Sequence, residues 1–263
     1  MEPWRAQAAA AMLDCAGLEL TSGSPLPPLW HWFYFLGTAP QAQLGLDGHP
    51  QRGGFMPPIE LPRRMFAGSR MTFHRPLRLG EPAQRQAQIR DVTEKSGRSG
   101  ALAFVTVDYR FLQGDELCIE EQQDIVYREP GAALPAPDVI DLPAPEPGSW
   151  CREFAADPRL LFRFSALTFN AHRIHYDRPY AQNEEGYPGL VVHGPLTAML
   201  LADLVRRNDA RRIATFSFRG AAPLFDLAPF RLLGRPDQDS VELEAEGPDG
   251  RAVLTAKATL RDH

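Results

Sequence analysis

The sequence predicts an α+β fold made by tandem duplication of one antiparallel module. Three observations carry that prediction. A proline-dense stretch divides the chain near its middle, a Pro-Leu motif recurs on both sides of it, and polar–apolar alternation of period two follows the motif each time. The divider is residues 128–149, REPGAALPAPDVIDLPAPEPGS, where Pro130, Pro135, Pro137, Pro143, Pro145 and Pro147 fix φ and remove donors, so the chain runs extended. The predicted organisation is an N-terminal domain over residues 1–129, a linker over 130–149 and a catalytic C-terminal domain over 150–263.

In the motif, Pro76-Leu77, Leu79 and Pro82 of HRPLRLGEP answer to Pro223-Leu224, Leu227 and Pro229 of AAPLFDLAP. Downstream, Val241, Leu243 and Ala245 alternate with Glu242, Glu244 and Glu246. Gly247-Pro248-Asp249-Gly250 then turns the chain into a second strand over 251–260. The first half shows the same pattern over 84–92 and 101–111, with a turn around Ser96-Gly97-Arg98 that sets Gly97-Arg98 against Gly250-Arg251.

Helices are expected mainly in the second half. Asp157 is placed to cap a helix that starts at Pro158, buries Leu161, Phe164 and Leu167 and stops near Asn170. Another starts at Gly194-Pro195 and aligns Leu196, Met199, Leu200, Leu204 and Val205 on one stripe, the pattern of a helix buried in a sheet. The counterpart in the first half is read as residues 48–62, GHPQRGGFMPPIELP, whose four prolines and three glycines forbid a helix. The first domain therefore reads as degenerate, and the missing helix leaves room for a substrate tail.

Composition excludes several function classes. A net charge of −5, with 44% hydrophobic and 23% charged residues, describes an ordinary globular protein without the positive field that nucleic acid requires. Arg206, Arg207, Arg211 and Arg212 read as a solvated helix end, with a small anionic ligand as the alternative. Cys15, Cys118 and Cys151 are odd in number and widely spaced, which fits a reducing, cytoplasmic compartment. The N-terminal apolar run is too short for a secretory core, and no apolar stretch reaches membrane-spanning length. Neither a GxSxG elbow nor a Gly-rich nucleotide fingerprint occurs, so no cofactor is expected.

Two segments carry the candidate chemistry: 164–181, FSALTFNAHRIHYDRPYA, and 189–201, GLVVHGPLTAMLL. The first sets Asn170, His172 and His175 on irregular chain after a helix. The second sets the Gly194 N–H at a helix start, where unpaired donors and the dipole favour a developing oxyanion. Hydration of an enoyl-thioester needs a base for water, a proton for the α-carbon and a donor for the thioester oxygen. His175 suits the first two needs and Gly194 the third, while the Asn170 amide can position water but not take its proton. Asp177 and His172 are candidates to orient or relay for His175, and Asp177 reads equally well as a turn residue. Three rival readings remain: a metal held by His172, His175 and His193, thioester hydrolysis on the same scaffold, and an acyl-thioester binding module without turnover.

These residues resemble the MaoC-like enoyl-thioester hydratases and dehydratases of the hotdog superfamily. Aligned on His175, the family signature puts Ile174 at its aliphatic position, Arg173 at its proline, His172 at its asparagine and Asn170 at its catalytic aspartate. The string TFNAHRIHYDRPYA with HGPLTAMLL is closer to a subgroup that contains hydroxyacyl-thioester dehydratase type 2 and the hydratases of itaconyl-CoA and mesaconyl-C4-CoA. RRMFAG and HRPLR extend the likeness into the first half.

The resemblance implies a double hotdog over nearly the whole chain and an enzyme that needs no metal. It also implies reversible hydration of a short, branched, dicarboxylic enoyl-CoA, such as itaconyl-CoA or mesaconyl-CoA, to citramalyl-CoA. Dehydration of 3-hydroxyacyl-thioesters in fatty acid synthesis is the alternative. Because Asn170 replaces the aspartate, His175 is expected to be the sole strong base. Arg63, Arg64 or Arg173 would meet the free carboxylate, with His172 and His193 lining the site and Arg219 or Arg75 near the CoA. The expected partner is thus an acyl-CoA substrate, with no nucleic acid, no membrane and, beyond the paired halves, a homodimer.

Overall fold

The computed structural model describes residues 1–97 and 100–262. Helix α1 (Pro3–Met12) is followed by irregular chain with a 3-10 turn at Trp30–Phe33. Four strands come next: β1 (Arg63–Phe73), β2 (Gln84–Gly97), β3 (Gly100–Gln113) and β4 (Glu116–Arg128). After the proline-rich stretch come β5 (Trp150–Phe154), α2 (Pro158–Thr168), α3 (Arg178–Asn183) and α4 (Gly194–Asn208). The chain closes with β6 (Arg212–Gly220), β7 (Phe230–Asp237), β8 (Ser240–Glu246) and β9 (Ala252–Arg261).

All nine strands form one antiparallel sheet in the order β2-β3-β4-β1-β6-β9-β8-β7-β5. The halves meet edge to edge where β1 pairs with β6, Arg70 opposite Ser217. The expected hairpin is β8–β9, with Val241, Leu243 and Ala245 facing the core. Around the turn expected near Ser96-Gly97-Arg98, β2 ends at Gly97 and β3 begins at Gly100; Arg98 lies outside the described residues.

The Pro-Leu motif folds alike in both halves. Leu77 O accepts from Leu26 N–H at 2.7 Å, as Leu224 O accepts from Val192 N–H at 2.8 Å. Leu79 N–H donates to Ser24 O, as Asp226 N–H donates to Leu190 O, both at 3.0 Å. Two sequence equivalences change as a result. Leu79 corresponds to Asp226, and the exposed Leu227 is outside the repeat's core. The counterpart of α4 begins after Leu26, at the Trp30–Phe33 turn, so residues 48–62 belong to a long irregular segment running from there to β1.

Helix α4 lies against the second half of the sheet. Leu196, Ala198, Leu200, Leu201 and Val205 are all fully buried, and α4 contacts β5 through β9. In the first half the inner face is closed instead by aromatic side chains, Trp32 meeting Phe66 and Phe218 edge to face, around the fully buried His31. Glu121 gathers the donors here: Ser69 Oγ at 2.9 Å, Trp32 Nε1 at 3.1 Å, Gln123 Nε2 at 2.8 Å and His31 Nε2 at 3.0 Å. A buried carboxylate costs several kcal/mol unless it is fully hydrogen-bonded, and this one is. A cavity of about 160 Å³ lies beside Trp32, Tyr109 and Phe111. Arg206 and Arg207 lie in the last turn of α4, as the helix-end reading expected, and both also pair with the buried Asp203.

Candidate active site

Asp157 caps α2 as its spacing predicts, accepting from Leu160 N–H at 2.9 Å. The helix stops at Phe169, which takes a left-handed φ of 52° and releases the chain into the 170–177 loop. Asn170 closes the turn that follows, its Oδ1 accepting from His172 N–H at 3.0 Å. The oxygen is therefore engaged, and Nδ2 has no acceptor among the described residues.

His175 sits on a single 3-10 turn and is buried. Its Nδ1–H donates to Val191 O at 2.7 Å, while Val191 N–H donates to Ile174 O at 3.0 Å. A carbonyl accepts only, so Nδ1 carries the proton and Nε2 keeps its lone pair. Burial pushes the imidazole down to about 4, against the opposing effect of the Val191 bond and with the His49 charge adding to it. At neutral pH His175 is an uncharged base. Asp177 does not orient it: Asp177 caps α3 through Tyr180 N–H at 3.1 Å and pairs with Arg173.

His193, the residue before α4, stacks on His175 with ring centroids 3.6 Å apart, and its Nε2 lies 2.9 Å from Ser165 Oγ. Burial holds its pKa well below the ordinary range, and its Nδ1 is buried without a partner among the described residues. Next comes Gly194, whose N–H opens α4 with no acceptor among the described residues. A Cβ added at Gly194 would meet open space, so the helix start faces a void.

His172 meets His175 edge-on at 5.3 Å and His49 at 4.0 Å. Burial, aided by the charges of His49, His175 and Arg64, pushes its pKa down to about 2. Four of the chain's seven histidines thus form one contiguous series. His49 and its partner Asp47 come from the first half of the chain, and the sequence reading missed both, because Asp-Gly-His-Pro reads locally as a turn. Ser165 and the Val191 carbonyl were missed too, since nothing in their local pattern tells of a partner distant in the chain.

The candidate arginines separate clearly. Arg63 pairs with Glu185, and Arg173 is tied to Asp177, the Leu46 carbonyl and the Tyr180 ring. Arg219 is exposed on β6, and Arg75 pairs with Glu116. Arg64 has no ion-pair partner among the described residues, and its charge reaches His172 and Tyr109. A concavity of 660 Å³ across β1 and β6 is lined by none of these groups.

Asp47, His49 and His172 offer donor atoms within 4.8 Å of one another, the one such His/Cys/Asp/Glu cluster among the described residues. Both Asp47 oxygens are already occupied by His49, so the group is a hydrogen-bonded pair beside a third ring rather than an open ligand set.

A buried neutral imidazole beside a free helix start, on a sheet that wraps a central helix, defines a hotdog-type hydratase or dehydratase. The chain belongs to the hydroxyacyl-thioester dehydratase type 2 family, whose model matches residues 29–226, and is a hydro-lyase. It is 66% identical over 256 residues to mesaconyl-C4-CoA hydratase of Chloroflexus aurantiacus, covering 97% of this chain and 91% of that one. Mitochondrial hydroxyacyl-thioester dehydratase type 2 of Schizosaccharomyces pombe is 28% identical over 233 residues, 79% of this chain and 77% of the relative. HtdX from Mycobacterium tuberculosis shares the fold, with a TM-score of 0.67 over 100% of this chain and 97% of its own at 18% identity.

Proposed function

We propose that the protein reversibly hydrates a short, branched enoyl-CoA that carries a second carboxylate, mesaconyl-C4-CoA or itaconyl-CoA, to citramalyl-CoA. The observation that carries this reading is His175, with Nδ1 fixed on Val191 O and a basic Nε2, one residue-stack away from the start of α4. His175 removes a proton from water as the oxygen attacks the β-carbon. Gly194 N–H donates to the thioester oxygen as it gains charge, and Asn170 Nδ2 holds the water.

In mesaconyl-C4-CoA, a 3-methylfumaryl thioester, the free carboxylate sits on the carbon that water attacks, so its partner must lie beside the base. Arg64 meets that requirement, since its guanidinium has no ion-pair partner among the described residues and its charge reaches His172. Arg63, Arg173 and Arg219 have other engagements or face elsewhere, and His172 and His193 line the slot. The first half, over 1–129, takes the substrate tail along Arg64 and Tyr109, and residues 130–149 link it to the catalytic half over 150–263.

Among the described residues no helix is long and apolar enough to cross a membrane. The three free cysteines suit the cytoplasm, and Phe162 and Phe169, left exposed at α2, suit a homodimer contact.

The test is a panel of enoyl-CoA esters followed by loss of the conjugated absorbance, with a thiol reagent to detect hydrolysis. Hydration of the carboxylated esters is expected, and Arg64→Ala should raise KM for them about tenfold or more while leaving crotonyl-CoA unaffected. Thiol release instead of hydration would overturn the reading. Turnover of long-chain 3-hydroxyacyl esters alone would move the substrate to the fatty-acid dehydratase class.

A further inference from the structure

The irregular segment that replaces the first half's central helix does not stay with its own sheet. Asp47 O accepts from Arg173 N–H at 2.9 Å, and Leu46 O accepts from Arg173 Nη1 at 3.0 Å. Gly48, at φ +88°, lies so close to Ala171 that a Cβ would overlap its carbonyl. These contacts clamp the 45–49 turn onto the loop that carries His172 and His175.

Within the turn, Asp47 holds His49 at two points. Oδ1 accepts from the His49 backbone N–H at 2.9 Å, and Oδ2 accepts from ring Nδ1–H at 3.0 Å. The bond to the backbone closes the turn by itself, so closure gives no reason for a ring at position 49. With Nδ1–H on the carboxylate, Nε2 is the ring's free nitrogen, in the manner of a carboxylate-oriented imidazole in acid–base catalysis. Both side chains are partly exposed, at 21% and 26%, so the ring is accessible.

We propose that His49, oriented by Asp47, is a second acid–base residue of this active site, delivered by the first half of the chain to the second. The proposal rests on the hydration reading above. His175 Nε2 takes a proton from water as the oxygen bonds to the β-carbon, and the C=C electron pair moves to the α-carbon and thioester oxygen. The doubly protonated form of His49, held on the Asp47 carboxylate, gives its Nε2 proton to the α-carbon and forms the new C–H bond. The proton left on His175 leaves to solvent with the product, and His49, partly exposed, takes one back from solvent. One water is consumed and both rings are restored. The charged and titratable groups around His49 are Asp47 on its own turn and His172 and His175 on the facing loop, with the charge of Arg64 on β1 reaching His172.

Asparagine at position 49 can still donate to Asp47 but cannot transfer a proton, so His49→Asn separates the chemistry from the fold. The expected result is a fall in kcat of about a hundredfold with KM within about threefold of wild type. Added imidazole should restore part of the rate, and the basic limb of the pH–rate profile should vanish. A kcat within about threefold of wild type would overturn the proposal. So would a loss that imidazole does not rescue and that leaves the pH profile unchanged, the signature of a structural role. A metal ion bound at Asp47 and His49 and needed for activity would also sink it. Wild-type protein inactive on every enoyl-CoA would defeat the hydration reading itself, whereas an inactive His175→Ala beside an active His49→Asn would defeat this proposal alone.

Discussion

At the scale of single residues, the proposed chemistry depends on how burial and one hydrogen bond prepare His175. An exposed histidine would be partly charged near neutral pH, but here desolvation keeps the ring neutral and Val191 O selects the tautomer. His175→Ala should lower kcat more than about a hundredfold, the ordinary loss for an acid–base group, and Asn170→Ala should lower it less. Steady-state kinetics on one enoyl-CoA decides both. The same burial sets the acid limb. Activity that depends on neutral His175 should persist to about pH 4 and fall below it, and a limb near 6.5 would show that the ring titrates as an exposed one.

At the scale of elements, the catalytic loop depends on a turn far away in sequence. Gly48→Ala puts a Cβ against the Ala171 carbonyl at a backbone conformation that disfavours one, a cost of about 1–3 kcal/mol. The expected outcome is a lower melting temperature together with lost activity, because the 170–177 loop must move; calorimetry and kinetics on one preparation check it. The same mutation at Gly194 meets open space, so Gly194→Ala should fold normally and affect turnover through the bound acyl group. Helix boundaries were readable because caps are local: Asp157 and Pro158 start α2, and Gly194-Pro195 start α4. The Asp47–His49 turn was not, because its meaning lies in contacts with residues more than a hundred positions away.

At the scale of the molecule, the pseudo-symmetric halves have diverged in what closes their inner faces: α4 in one, an aromatic layer around Glu121 in the other. Glu121→Ala leaves Trp32, Ser69 and Gln123 without their acceptor, and a loss of about 3–5 kcal/mol in denaturant unfolding is expected. Stability should also depend on pH. His175 and His172 are held down to about 4 and about 2, below the ordinary 6.5, so between these values the unfolded chain binds more protons than the native one. Their contribution is full above about pH 6.5 and is lost as pH falls toward about 4; a melting temperature that stays level from pH 7 to 5 would contradict it.

The sequence alone determined the features that short-range chemistry encodes. Alternation of period two predicted the β8–β9 hairpin, proline and glycine forbade a helix over 48–62, and helix-start residues together with an imidazole at 175 picked out the candidate site. Only the tertiary structure decided which groups surround that imidazole: the Val191 carbonyl that fixes its tautomer, the free Arg64 among several candidate arginines, and the Asp47–His49 pair brought over from the other half. The reason is physical. Propensity and capping act over a few residues, whereas desolvation, ring contacts and ion pairing depend on distances in space that only the closed sheet sets.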